Sequence, residues 1–333
     1  MSRIVRLPRT LSRSAAVAVL TMLMLVSPAV AGGRAPSPEA CATGGELVLP
    51  SSQLGNVGDG YMLDKGRFTT IAAPGARETL PYGINNRGLV VGGIVGADGR
   101  GRGYLLKDGE FTPIDKPGAA ATAPFKINER GQIAGLYTEM SDAAPLRPPF
   151  HAFFLDKGVY TDIDVPGAFS TQAFGLNNRG QVVGSYIDAD GTNHGFVWDD
   201  GVITTVDVPG ALGTAVLGIN NRGQMVGVYL SDKPHGFVMD RDGCTTLDGP
   251  GAAGTQLHGI NDRGQIVGIF EDPGGTLHGL RLDGADATTI EAPGARPHTT
   301  AYDINERGQI VGFRDLSGDS LAAAALGSIM GSS

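Results

Sequence analysis

The chain has 333 residues, of which 52 are glycine and 20 are proline, and its formal net charge is −8. This acidic balance argues against a nucleic-acid partner, because proteins that bind nucleic acids carry a basic surface that faces the phosphates. The glycines and prolines recur periodically along the chain, which is typical of the turns of an all-β protein and not of a disordered tract.

Residues 1–31 have the pattern of a secretory signal peptide. Four arginines precede an apolar run from Ala15 to Val26, and Ala29-Val30-Ala31 offers small residues for cleavage. The run is too short for a stable membrane anchor, and no later segment is long and apolar enough to span a bilayer. We therefore expect a soluble protein, secreted or periplasmic after cleavage near Ala31. Because the leader holds four arginines and no acid, its removal changes the net charge from −8 to −12.

The mature chain keeps two cysteines, Cys41 and Cys244, which would lie in an oxidising compartment. They are either two independent thiols or one disulfide that ties the N-terminal tail to the body, and the sequence leaves both options open.

A five-residue motif, [ILV]-Asn-[Asn/Asp/Glu]-Arg-Gly, occurs six times. Its asparagines are separated by 43, 49, 43, 41 and 44 residues, and they are Asn85, Asn128, Asn177, Asn220, Asn261 and Asn305. A near-constant period of this length is typical of a repeat protein, in which each unit buries its apolar faces only against its neighbours.

One repeat, from Ala215 to Asp248, shows what a unit contains. Its residues 216–220, 224–229, 235–240 and 244–248 have the pattern of four strands separated by short turns. The next stretch, 249–255, is longer and contains the Pro-Gly-Ala sequence that recurs in every unit, so it suits a crossover to the next sheet. Four-stranded meanders that are joined by crossovers are the blades of a β-propeller.

Counting the meanders predicts an all-β, six-bladed β-propeller of four-stranded antiparallel blades. Five complete meanders begin near Tyr82, Phe125, Phe174, Leu217 and His258. The sixth, near Tyr302, supplies only two strands, and residues 60–64 and 68–71 at the N-terminal end of the domain supply the other two. This closure would remove the exposed sheet edges and favour a monomer.

The predicted propeller domain spans residues 60–313, between a tail of residues 32–59 and a tail of residues 314–333. In an alternative arrangement, residues 320–326 and 44–59 belong to an irregular seventh blade. Six blades are favoured because no seventh copy of the motif exists.

The repeats also share a tripeptide that opens the third strand. It reads His151-Ala152-Phe153, with related forms at His194-Gly195-Phe196, His235-Gly236-Phe237 and His278-Gly279-Leu280. Together with Asn-x-Arg-Gly and Pro-Gly-Ala, this tripeptide makes residues 60–313 resemble the HAF-type extracellular repeat proteins. The resemblance implies a secreted, β-rich bacterial protein and brings no general activity. Gly60-Tyr61 and Gly103-Tyr104 depart from it, because both lack the histidine.

Residues that are present in every repeat are expected to be structural. The motif glycine suits a left-handed turn position, and the asparagine suits hydrogen bonds to its own turn. The six motif arginines either pair with carboxylates of a neighbouring blade, such as Asp108, Asp156 or Asp240, or form an anion-binding ring, with pairing preferred. The aspartates before the crossovers are expected to accept backbone N–H groups, and they are Asp115, Asp164, Asp207 and Asp248.

No metal or other cofactor is expected. The four strand-opening histidines lie on different blades, so they suit hydrogen bonds better than a shared metal ion. Acidic turns at Asp188-Ala189-Asp190-Gly191 and Glu271-Asp272 give only a weak signal for Ca²⁺, because no twelve-residue loop with a terminal glutamate follows either of them.

Candidate binding residues are those that break the repeat. The position two before the motif asparagine is glycine in four units but Lys126 and Asp303 in the other two, and strand alternation places it towards the bore. We expect Lys126 and Asp303 to be too far apart for a salt bridge and to face a common ligand. His258 replaces an apolar residue, and His298 lies in a crossover that is one residue longer than the others. An insertion at residues 141–149 lies on the same end as the crossovers, where loops gather binding residues.

Two functions fit these features. The first is a non-catalytic propeller that binds a glycan, a peptide or a cell-surface partner, since no catalytic motif is recognisable. The second is a lyase or hydrolase at the channel mouth, with His258 or His298 as the base and Lys126 or Asp303 as its partner. An approach of two of these four side chains within hydrogen-bond distance would favour the enzyme.

Overall fold

The computed structural model describes residues 58–97, 100–139 and 149–316, and within them the chain forms 24 strands and no helix. The signal peptide, Cys41, residues 141–148 of the insertion and the segment 320–326 lie outside the described residues. Cys244 is exposed and forms no disulfide with any described residue.

The strands form four-stranded antiparallel meanders, as predicted. The first three comprise β3 (Ala76–Ile84), β4 (Val90–Gly96), β5 (Gly101–Lys107) and β6 (Glu110–Ile114); β7 (Ala119–Ile127), β8 (Ile133–Glu139), β9 (His151–Asp156) and β10 (Val159–Ile163); and β11 (Ser170–Leu176), β12 (Val182–Ile187), β13 (Asn193–Asp199) and β14 (Val202–Val206). The next two comprise β15 (Gly213–Ile219), β16 (Met225–Leu230), β17 (Pro234–Asp240) and β18 (Gly243–Thr246); and β19 (Gly254–Ile260), β20 (Ile266–Glu271), β21 (Leu277–Asp283) and β22 (Asp286–Ile290).

The last meander combines residues from both ends of the described chain. It contains β23 (Thr299–Ile304) and β24 (Ile310–Asp315), followed by β1 (Gly58–Asp64) and β2 (Arg67–Ile71). β24 pairs with β1 over six residue pairs, from Gly58↔Asp315 to Leu63↔Ile310. A single parallel pair, Gly58↔Glu78, joins this meander to the first one, so the two together form an eight-stranded sheet.

This topology gives the array two distinct ends. The crossover end carries the Pro-Gly-Ala crossovers and the loops between second and third strands. The turn end carries the Asn-x-Arg-Gly turns and the hairpins between third and fourth strands.

The Asn-x-Arg-Gly turn is held by its asparagine, as predicted. In the fourth meander, Asn220 Oδ1 accepts the N–H groups of Arg222 and Gln224, each at 3.0 Å. Its Nδ2 donates to Gln224 Oε1 at 2.9 Å. Gly223 has a φ of 83°, a left-handed conformation that glycine adopts without strain.

The same asparagines link each meander to the next. Asn220 Nδ2 also donates to the backbone oxygen of Asn261 at 3.1 Å, and the equivalent bonds run in sequence from Asn85 to Asn305. Asn305 Nδ2 then donates to the backbone oxygen of Asn85 at 3.1 Å, so the hydrogen bonds form a cycle. A second cycle joins the backbone N–H that follows each asparagine to a side-chain oxygen of the next turn.

Each first strand has an irregularity in its pairing three residues before the motif asparagine. In β11 the register shifts between Ala173 and Gly175, so Phe174 is an extra residue. The extra residues of the six first strands are Tyr82, Phe125, Phe174, Leu217, His258 and Tyr302. A β-bulge redirects a side chain, and it breaks the simple alternation on which the prediction of a glycine-lined bore depended.

Candidate functional site

The bulge residues fill the centre of the molecule. Tyr82 stacks on Phe125 with ring centroids 4.5 Å apart, and it contacts Tyr302 edge-on at 5.3 Å. The bulge residues and Lys126 line a cavity of about 20 Å³. A second cavity of about 60 Å³ lies on the asparagine side, and Lys126 lines it as well. Ligand sites usually measure about 300–1,000 Å³, so these cavities suit water rather than a substrate.

Lys126 and Asp303 form a salt bridge across this centre, so the prediction that they are too far apart is wrong. Their strands β7 and β23 are separated by β3, whose Gly83 lies between them. A Cβ atom on Gly83 would lie 2.6 Å from the backbone oxygen of Phe125 and 2.9 Å from the Cα of Lys126. The glycine therefore lets the first strands approach closely, and the lysine side chain is long enough to cross the narrowed space.

Asp303 is fully buried, and its carboxylate accepts several hydrogen bonds. Its Oδ2 accepts the N–H of Ile84 at 2.8 Å, and its Oδ1 accepts the N–H of Ile304 at 2.8 Å as well as the Lys126 ammonium. Burial raises the pKa of Asp303, whereas Lys126 and the two backbone N–H groups lower it, and the net pKa lies above the ordinary aspartate value. The carboxylate joins three first strands and has a structural role whether or not a ligand binds.

His258 belongs to the same central cluster. Its ring lies edge-on to Tyr302 at 5.4 Å, and its Nε2 has no hydrogen-bond partner among the described residues. Burial lowers the pKa of His258 to about 3, so the ring is neutral at physiological pH. A buried polar atom without a partner destabilises a fold by about 1–3 kcal/mol, so this histidine is a costly replacement for the apolar bulge residue of other repeats.

His298 lies apart from the other three candidates, next to β21 at the crossover end. Its Nδ1 accepts the N–H of Leu277 at 3.1 Å, and its carbonyl oxygen accepts the N–H of Asp315 at 3.0 Å. Burial lowers its pKa. The structure thus brings Lys126, Asp303 and His258 together but not His298, and ligand binding by any of these residues stays a prediction.

A repeated cluster at the crossover end was only partly predicted. The Nδ1 atoms of four histidines contact the acid that follows the fourth strand, at 2.9 Å for His151–Asp164, 2.9 Å for His194–Asp207, 2.7 Å for His235–Asp248 and 2.5 Å for His278–Glu291. The ring of each histidine stacks on an aromatic ring of the second strand, with centroids 5.0–5.2 Å apart. The sequence signal is the constant spacing of 13 residues between histidine and acid.

Three of these histidines also contact a second carboxylate, in the loop between the second and third strands. The Nε2 atom of His194 lies 3.3 Å from Asp188, that of His235 lies 3.0 Å from Asp232, and that of His278 lies 3.2 Å from Asp272. A neutral imidazole has one N–H donor, whereas two carboxylates each need a donor, so the arrangement favours the imidazolium. Burial lowers the pKa of His235, but the hydrogen bonds and charges of Asp232 and Asp248 outweigh burial, and the net pKa is raised.

Two further expectations about repeated residues are corrected. Asp164 and Asp207 bind histidine rings, and Asp248 binds His235 and also accepts the backbone N–H of Gly236 at 3.1 Å. The N–H groups of the crossovers are instead accepted by threonine, as in Val208 N–H to Thr214 Oγ1 at 3.0 Å. Among the ion pairs of the described residues, none joins a motif arginine to a carboxylate. The acids at the ends of the third strands instead accept the glutamine amide that follows the motif, as in Gln132 Nε2 to Asp156 at 3.1 Å.

A third cavity lies at the crossover end, beside the first meander and the crossover that leads into it. Its volume is about 460 Å³, and it is lined by Pro74–Ala76, by Ile94 and Arg102, and by Tyr104, Phe111 and Pro113 among others. We call it the β4–β6 groove. In the second to fifth meanders, the position of Ile94 holds an aromatic ring and that of Arg102 holds the stacked histidine. The first meander therefore lacks this pair of rings, and the residues in their place line the groove.

Within the three described ranges, no group of three or more His, Cys, Asp or Glu residues is placed to hold a metal ion. The weak Ca²⁺ signal at Asp188 has a local explanation, since its Oδ1 accepts the N–H groups of Asp190 and Thr192. The described residues also contain no helix that is long and apolar enough to cross a membrane.

Comparison with known proteins shows similarity at the level of fold. No protein-family model matches the chain, and no curated protein matches it. Among solved structures, a putative TolB from Agrobacterium tumefaciens superposes with a TM-score of 0.57 and 11% identity, over 78% of this chain and 98% of that one. TolB from Acinetobacter baumannii gives a TM-score of 0.47 and 13% identity, over 78% and 65% of the two chains. A fucose-recognising fungal lectin from Aleuria aurantia, described as a six-bladed β-propeller, gives a TM-score of 0.41 and 11% identity, over 64% and 78%. At 11% identity, the likeness to the Agrobacterium tumefaciens protein shows a shared fold only.

Proposed function

We propose that this chain is an exported, non-catalytic β-propeller that binds a glycan, a peptide or a cell-surface partner through its crossover end. The observation that carries the proposal is the contrast between the centre and that end. The centre is filled by packed rings and the Lys126–Asp303 pair, whereas the crossover end has a cavity of about 460 Å³. Phe169 and Leu212, in successive crossovers, are 52% and 61% exposed there. The turn end carries a comparable pair, Val159 and Val202, at 67% and 65%, so the cavity is the feature that distinguishes the crossover end.

The propeller is proposed to have six blades and to be closed by its N-terminal strands. The asparagine hydrogen bonds support this because they return from Asn305 to Asn85 without leaving an end. The pairing of β24 with β1 supports it as well, because each of the two strands covers an edge of the other.

Export is proposed from the sequence of residues 1–31, and the HAF-type relationship from the repeated tripeptide. Both proposals fit a protein that works outside the cytoplasm.

The alternative, a propeller enzyme, has one observation in its favour. Lys126 and Asp303 do come within hydrogen-bond distance, which is the approach expected of a catalytic pair. However, the pair is 13% and 0% exposed, and the adjoining cavities of about 20 and 60 Å³ leave no room for a sugar or a peptide. A general base must also reach its substrate, and His258 is buried against Tyr302.

The test is a glycan array together with a peptide array, probed with the mature chain from residue 32. The proposal expects binding that is lost when Phe169 and Leu212 are both replaced by serine, and that is unchanged when exposed Val159 and Val202, at the turn end, are replaced in the same way. Equal losses in the two double variants would contradict the assignment to the crossover end, and an absence of binding on both arrays would contradict the binding function for these partner classes.

A further inference from the structure

We propose that the crossover end of the third meander binds a basic peptide segment, in which one lysine or arginine stands between two apolar side chains. The surface consists of Phe169, the loop of residues 188–192 and Leu212, and we call it the 188–192 surface. The inference rests on the proposed binding function of the crossover end and names the partner class for one part of it.

The loop of this surface begins beside Phe169 and ends beside Leu212. The N–H of Phe169 donates to the backbone oxygen of Ile187, the residue before the loop, at 2.8 Å. Asn193, the residue after the loop, donates from Nδ2 to the backbone oxygen of Thr214 at 3.2 Å. Thr214 lies two residues after Leu212, at the start of the next meander. Phe169 and Leu212 therefore flank the loop, one on each side.

Both flanking residues present a large apolar side chain to solvent. Phe169 is 52% exposed and Leu212 is 61% exposed. In the crossovers that lead into the second and fifth meanders, the same position after Pro-Gly-Ala holds Ala120 and Ala253. A single exposed apolar side chain is common in proteins, but two that flank one loop offer a partner two apolar contacts.

The loop between them carries an excess of negative charge. Asp188 and Asp207 share the imidazole of His194, whose Nε2 and Nδ1 atoms lie 3.3 Å and 2.9 Å from them. Asp190 is exposed, and its carboxylate forms no ion pair with any described residue. Even when the imidazole is charged, these three carboxylates and one cation leave a net charge of −2. The charge between the two apolar contacts therefore favours a cation over an anion.

A peptide that presents an apolar, a basic and an apolar side chain on one face complements this surface. In an extended peptide, the side chains at positions i, i+2 and i+4 lie on the same face. An exposed ion pair contributes little free energy, so the apolar contacts would supply most of the affinity and the lysine would supply the selectivity. A second copy of this chain fits less well, because a symmetric contact would place the same acids against each other.

Three blocked pentapeptides serve as probes: Leu-Ser-Lys-Ser-Leu, Leu-Ser-Glu-Ser-Leu and Ser-Ser-Lys-Ser-Ser. NMR titration of the mature wild-type chain at pH 7 and low salt measures their dissociation constants. We expect the first peptide to bind with a dissociation constant on the order of 1 mM, and about 5-fold or more tightly than either of the others. High salt should reduce its advantage over the glutamate peptide, because exposed charges are screened.

Asp190→Lys should reverse the preference, so that the glutamate peptide binds more tightly than the lysine peptide. Asp200→Lys is the matched control. It makes the same change of charge in the same meander but at the turn end, where Lys157 occupies the equivalent position of the second meander with a similar φ. This control should keep the wild-type preference. Replacement of both Phe169 and Leu212 by serine should weaken binding of the lysine peptide about 5-fold or more.

The proposal would be overturned if the lysine peptide showed no saturable binding, if the lysine and glutamate peptides bound wild type equally, or if the preference survived in a folded Asp190→Lys protein. Glycan binding on the array that is lost in the Phe169 and Leu212 double variant, together with absent peptide binding, would refute the basic partner and keep the proposed function. Negative arrays together with absent peptide binding would refute both.

Discussion

Lys126 and Asp303 bridge the first strands of two meanders that are separated by a third, and the carboxylate also accepts the N–H of Ile84 from the strand between them. One buried side chain thus connects β23, β3 and β7. In the other repeats the same position is glycine, so the pair replaces close backbone contact by a charged cross-link. Removal of one partner from such a pair destabilises a protein more than removal of both.

This relationship predicts unequal effects of single replacements. Asp303→Asn should destabilise the protein by about 3–5 kcal/mol, because it leaves the Lys126 ammonium buried without a counter-charge. Lys126→Met should destabilise the protein less, because burial already raises the pKa of Asp303 and the Asp303 carboxyl can take up a proton. Urea unfolding at pH 7 measures both free energies. The double replacement should cost less than the sum of the two, and strict additivity would show that the side chains do not interact.

His258 should make the protein sensitive to acid. Burial lowers its folded pKa to about 3, while the unfolded chain titrates near 6.5. As the pH falls from 6.5 towards 3, the unfolded state therefore binds a proton and the folded state does not. The free energy of unfolding declines over that window by on the order of 4–5 kcal/mol. His258→Phe, which copies Phe125 and Phe174, should remove this decline and add about 1 kcal/mol at pH 7.

The measurement is the difference in unfolding free energy between wild type and His258→Phe as a function of pH. Leu217→Phe is the control, since it changes another bulge residue without removing a titratable group. A difference that stays constant from pH 7 to pH 4 would mean that His258 is protonated in the folded protein.

The sequence predicted the repeat, the four strands and the turn chemistry because these depend on short-range patterns. Asn220 and Gly223 act within five residues of each other, so their roles can be read locally. The bulge at Phe174 could not be read in this way, because it arises where six first strands converge and a side chain must turn inwards. The missed bulge explains the wrong expectation for Lys126: the bore that it was expected to line is already filled.

The partners of the histidines were missed for a different reason. Hydrogen bonding by His235 was predicted, but its acids lie in separate loops, Asp232 before its strand and Asp248 after the next one. The β4–β6 groove was missed because the sequence comparison concentrated on the first strand of each repeat and not on Ile94 in the second.

The histidine clusters predict an opposite pH response from that of His258. Because the pKa of His235 is raised in the folded protein, its contribution to stability is complete below the unfolded value of 6.5 and is lost as the pH rises through the folded pKa. The hydrogen bond from His235 likewise lowers the pKa of Asp232 to about 2. Asp232→Asn should lower the pKa of His235, which NMR titration of the imidazole measures directly. Asp240→Asn, an acid of the same meander that does not contact the ring, should leave it unchanged; equal shifts in the two variants would argue against a specific contact.

The last prediction concerns the meander that is shared between the two ends of the domain. Removal of residues 32–72 deletes β1 and β2 and exposes the edge of β24, which pairs with β1 over six residue pairs. It also removes Tyr61, whose hydroxyl bonds Thr300, and Asp59, which lies 3.6 Å from Arg314. An exposed strand edge recruits other chains, so this protein should aggregate or melt at a much lower temperature. Removal of residues 32–57 leaves β1 in place and should have little effect. Light scattering and thermal melting distinguish the outcomes, and a monomeric 73–333 protein with wild-type melting would show that the N-terminal strands are not needed to complete the last blade.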